Sequence, residues 1–176
     1  AANIATLQFH NNVSLGAATR TITLGNSGNN FLTGIISNTS GGLILTANAN
    51  GTIGALTISG ANTYSGTTSI NGGSLITNGT NTIPATTNVA LGGGTLRTGI
   101  GIGFTQSTAT LNLTASSTIN LGTGVHSLSF TNSSAVSWTG GQTLTIRGWT
   151  GAYDGTASAT AGRIFVGTDA TGLTAG

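Results

Sequence analysis

Pairs of large apolar residues separated by a single residue recur along this 176-residue chain and never lengthen into a longer periodic run. Leu43-Ile44-Leu45, Leu56-Thr57-Ile58, Leu111-Asn112-Leu113, Leu128-Ser129-Phe130, Val136-Ser137-Trp138 and Leu144-Thr145-Ile146 are the clearest cases. Alternation with a period of two sends the outer pair to one side of a strand and the middle residue to the other. Gly and Thr interrupt every window long enough for a helix, so helical periodicity has nowhere to develop. The pattern predicts an all-β chain of short strands. Turns are expected at Asn50-Gly51, Asn71-Gly72 and Asn78-Gly79, dipeptides that suit positive φ.

Evenly spaced short strands fit an antiparallel sandwich or a parallel solenoid. Strands with only two inward residues suit the narrow core of stacked coils. Thr, Ser and Asn at the outward positions can stack in ladders up such a stack. Charged residues are 3% of the chain, with no Lys and no Glu. The charged edge residues that stop a sandwich from pairing outward are therefore missing. The expected fold is a right-handed parallel β-helix, a β-solenoid spanning residues 1–148. Residues 149–176 form a Gly-rich terminal segment that continues or caps it. A coil of roughly 22 residues gives about eight coils and, at the spacing of neighbouring strands, a rod about 40 Å long.

The same composition bears on function. Arg20, Arg97, Arg147 and Arg163 are scattered singly in sequence, unlike the basic clusters that neutralise nucleic-acid phosphates. No apolar run approaches the roughly 20 residues of a spanning helix, so no membrane insertion of this segment is expected. There is no Cys, and His10 and His126 lack metal-ligand spacing, so no metal and no cofactor are expected. Paired-carboxylate glycoside chemistry needs two facing acids, and the chain has only Asp154 and Asp169, both in the Gly-rich tail. No G-x-S-x-G elbow is present, and Gly99 to Gly103 lacks the Lys of a phosphate loop. The chain is expected not to be an enzyme.

Residues 54–78 carry the most specific signal. Leu56 to Ile76 reads LTISGANTYSGTTSINGGSLI. In it Leu56, Ile58, Ile70 and Leu75 are expected to point inward, with Gly60, Gly66, Gly72 and Gly73 at the corners. Asn62 is expected to bond the backbone inside a turn. Tyr64 is expected to lay its ring over a corner with the hydroxyl in water. This stretch resembles the autotransporter-associated β-strand repeat of bacterial surface proteins. The resemblance implies a right-handed parallel β-helix, exported and held outside or on the cell surface.

Three functional readings follow. The lead reading is a structural module of a surface rod or filament. No capping segment is evident at Ala1 to Asn12, and little charge opposes self-association, so copies could join end to end by strand pairing. The second is an adhesin that binds glycans or surfaces, with Trp149 and Tyr153 as surface aromatics for stacking. The third is ice binding through the T-x-T triplets at Thr21, Thr108 and Thr143, whose irregular spacing predicts that they do not share one face.

Overall fold

The computed structural model describes residues 6–25, 27–38, 40–47, 54–99, 101–149, 162–168 and 171–173. Among these residues there is no helix, and every strand pairing is parallel. The chain winds into a β-solenoid of about six turns, so the expected eight is too many. The excess comes from assuming a uniform coil. Leu56 pairs with Leu75 after 19 residues, Ile119 with Ile146 after 27, and Leu128 with Ile164 after 36.

The chain visits a first face, then a second, then a third in each turn, though not every visit forms a strand. The first face is one seven-stranded sheet: β1 (Gln8–Phe9), β4 (Asn29–Leu32), β7 (Ala55–Ile58), β9 (Ser74–Thr77), β11 (Thr95–Thr98), β14 (Ser117–Asn120) and β16 (Leu144–Arg147), in that order. The third is a five-stranded sheet of β3 (Arg20–Leu24), β6 (Leu43–Ala47), β8 (Thr68–Ile70), β10 (Val89–Gly92) and β13 (Leu111–Ala115). The second face is broken into two sheets. β2 (Val13–Ser14) pairs with β5 (Ile36–Ser37), and β12 (Thr105–Thr108) pairs with β15 (Ser127–Phe130), which pairs with β17 (Arg163–Val166). β17 thus carries the solenoid into the Gly-rich terminal segment.

Strand alternation builds the core. On the first face Leu56, Leu75, Leu96 and Ile119 lie in one column, each opposite its neighbour in the next turn, and all are buried. On the third face Leu45, Ile70, Leu91 and Leu113 do the same. Burying each such side chain is worth about 1.5–3 kcal/mol. Of the six apolar triplets, Val136-Ser137-Trp138 departs from expectation. It lies in irregular chain and forms no strand. The Trp138 indole donates to the Leu111 carbonyl at 3.2 Å, so this segment covers the outer edge of β13. An indole N–H spent on a strand carbonyl takes the place of a ladder bond there.

The left-handed residues also fall elsewhere than at the Asn-Gly pairs. Gly73 (φ 65°) and Asn81 (φ 50°) take those conformations, whereas Gly72 and Gly79 do not; Asn50-Gly51 lies outside the described residues.

Ile58 is fully buried, so Ile58→Asp sets a charge among aliphatic side chains with no partner. The expected cost is several kcal/mol, read as a large fall in melting temperature. A variant that melts with the parent contradicts the register described here.

Candidate functional site

The residues of the repeat are brought together, and what they build is an interior. Leu56, Ile58, Ile70 and Leu75 all belong to one buried apolar cluster. Gly60 and Gly66 sit where successive turns touch backbone to backbone. A Cβ on Gly60 would run into the Gly34 carbonyl, and one on Gly66 into the backbone of Gly41 and Gly42. Gly73 instead supplies the positive φ that turns the chain into β9. Gly72 is buried beside it.

Two repeat residues act differently from the sequence expectation. Tyr64 has no exposed surface, and its hydroxyl hydrogen-bonds the Thr68 hydroxyl at 2.7 Å instead of reaching water. Burial pushes the phenol well above its ordinary value, and the Thr68 contact opposes this only in part. An inward ring is the better solution because the second face has no strand in this turn, which leaves room for an aromatic side chain. Asn62 does bond the backbone, but in neighbouring turns. Its Oδ1 accepts from Ile36 N–H (2.6 Å) and its Nδ2 donates to the Thr82 carbonyl (2.7 Å).

Asn62 opens an internal polar ladder that the sequence reading missed. Two turns further on, Gln106 Nε2 donates back to the Ile83 carbonyl of the turn between (2.7 Å), and its Oε1 accepts from Ile83 N–H (3.1 Å). The same Oε1 accepts from the Thr82 hydroxyl at 3.3 Å. Asn62 stands where the second face is interrupted and Gln106 on β12 at the edge of that interruption, so side chains replace the missing strand pairing and satisfy its backbone groups. Thr77 and Thr98, inward on the first face, donate to the carbonyls of Arg97 and Leu121 in the next turn at 3.4 and 2.8 Å. An inward Thr among aliphatics gives no sequence signal in a chain where Thr is everywhere.

Among the described residues, the remaining candidates do not come together. His10 is exposed and contacts Thr33 Oγ1 (2.9 Å) and Gln8 Oε1 (3.2 Å). His126 is buried far along the stack. Its Nδ1 accepts from Phe104 N–H at 3.0 Å while Nε2 faces the Thr123 carbonyl at 2.6 Å, so the hydrogen bonds assign the Nε2–H tautomer. Trp149 is about half exposed, at 45%. Tyr153, Asp154 and Asp169 lie outside the described residues. Among the described residues no group of three or more His, Cys, Asp or Glu could hold a metal ion, and no helix is long and apolar enough to cross a membrane. The T-x-T triplets fall on different faces: Thr21 and Thr23 on the third, Thr108 buried on the second, Thr145 on the first. Comparison with protein-family models, curated proteins and solved structures returned no match.

Two experiments probe the interior. Asn62→Leu keeps the volume and strands the Ile36 N–H and the Thr82 carbonyl in a dry core. The expected loss is about 1–3 kcal/mol for each unpaired group, measured by denaturant unfolding. A loss under about 0.5 kcal/mol would mean the ladder is replaceable. In an alkaline titration followed by phenolate absorbance, Tyr64 should ionise only as the protein unfolds. Its folded value is raised, so the unfolded chain releases that proton first. Stability should therefore fall as pH rises past the ordinary phenol value near 10. Tyr64→Phe should flatten that slope, and an unchanged slope would contradict the burial of the hydroxyl.

Proposed function

We propose that this chain is a non-catalytic structural module of a bacterial surface rod or filament, whose copies join end to end by strand pairing. The observation that carries the reading is the state of the two ends. β1, β2 and β3 lie at one edge of their sheets, and β13, β16 and β17 at the other. Among the described residues, inward positions that are sealed in the middle of the stack are exposed in these edge turns. Leu7 and Phe9 are 52% and 48% exposed at one end, and Ile146 is 40% exposed at the other. Because all ladders are parallel, only a head-to-tail contact continues them. Such a contact does not close, so repeating it builds a fibre. The extracellular setting rests on the repeat resemblance at residues 54–78.

Sedimentation at rising concentration, with electron microscopy of the same samples, tests this. The expected result is growth into fibres one solenoid wide, little affected by salt because hydrogen bonds and apolar burial hold the joint. Deleting Ala1 to Phe9, which removes β1, should shift the population to monomers. A protein that stays monomeric throughout, with no effect of the deletion, contradicts the proposal.

A further inference from the structure

The arginines that are isolated in sequence are not all isolated in space. Strand register sets Arg97 opposite Asn120 and Asn120 opposite Arg147, all outward on the first face, because their neighbours Leu96, Ile119 and Ile146 point inward. Two arginines therefore stand on one column two strand spacings apart, about 10 Å. The next outward column, two residues back along each strand, is Thr95, Thr118 and Thr145. A shallow depression of about 180 Å³ opens at the start of the same strands, with Ser116 and Thr143 on its wall.

We propose that this face binds an acidic polysaccharide lying along the solenoid axis, with one carboxylate or sulfate per disaccharide. The arginine spacing matches a charge on every second sugar. Guanidinium groups pair bidentately with carboxylate and sulfate oxygens. Between them, Asn120 Oδ1 accepts from Gly122 N–H at 2.9 Å, which leaves the amide NH2 as its donor toward a ligand. The threonine column sets a row of hydroxyls beside the row of charges, the chemistry that a hydroxyl-rich chain requires. On β11, β14 and β16 no aromatic side chain stands in either column, and Phe31, the aromatic of the arginine column, lies three strands beyond Arg97, so these strands carry no row of the stacking aromatics on which single-stranded nucleic acid depends. The inference is independent of end-to-end assembly, since the columns run along the side of the rod.

Affinity electrophoresis of the full chain through gels containing hyaluronan, which carries one carboxylate per disaccharide, tests the proposal. Hyaluronan should retard the protein at low salt, and salt should release it. Arg97→Gln and Arg147→Gln should each weaken retardation roughly tenfold, the worth of one charge-assisted hydrogen-bonding group. Arg20→Gln, the same charge change on the third face, should leave it unchanged. Arg147 is exposed, so its variant keeps the test valid even if Arg97→Gln fails to fold. No retardation by hyaluronan overturns the proposal. So does equal retardation by neutral dextran, tighter binding of a single-stranded polynucleotide, or an equal loss in Arg20→Gln.

Discussion

Each turn of this chain is held by pairing in parallel with the turns above and below it, at about 4.8 Å per step. That contact constrains everything else, because a solenoid has no helix and no second layer to share the work. Every inward side chain sits on its own equivalent one turn away, so Leu56, Leu75, Leu96 and Ile119 form a continuous apolar column. Some corners bring backbone against backbone, so Gly60 rests on Gly34 and Gly66 on Gly42. Where the second face loses its strands, the hydrogen bonds still have to be made. Asn62 and Gln106 then reach from one turn to the next and make them.

The same constraint explains why the surface is nearly uncharged without being featureless. Stacking places outward residues in columns at fixed spacing, and like charges at adjacent steps of a column would repel. Arg97 and Arg147 avoid this through the intervening Asn120. Thr tolerates stacking on itself, and it does so at Thr95, Thr118 and Thr145. Side and ends of the rod thus present different chemistries. The side offers periodic hydroxyl and guanidinium groups, and the outermost described turns offer strand edges and exposed apolar side chains.

Much of the fold was legible because strand alternation is local. Five of the six apolar triplets are strands, and Leu56, Ile58, Ile70 and Leu75 are core residues as the repeat pattern predicts. What was illegible depends on contacts between turns. Trp138 completes a triplet like any other, yet among the described residues no further strand of the third face follows, and its indole caps Leu111 instead. Tyr64 reads as a corner aromatic until the neighbouring turns are known to leave it a buried site beside Thr68. The partners of Asn62 are 26 and 20 residues away, beyond any turn motif. The arginine column is invisible for the same reason, since coils of unequal length hide the register that aligns it.

The absence of Cys from the native sequence makes disulfide trapping a clean test of that register. Thr95 and Thr118 face outward on adjacent strands and are direct partners, so cysteines placed at both should oxidise to an intramolecular disulfide, their Cα separation falling within the range such bonds accept. Cysteines at Thr95 and Asn120 lie on the same face but two residues out of register, and should bridge far less. Efficient bridging of the first pair and not the second is the result predicted by parallel, in-register stacking. Equal bridging of both, or of neither, would contradict it.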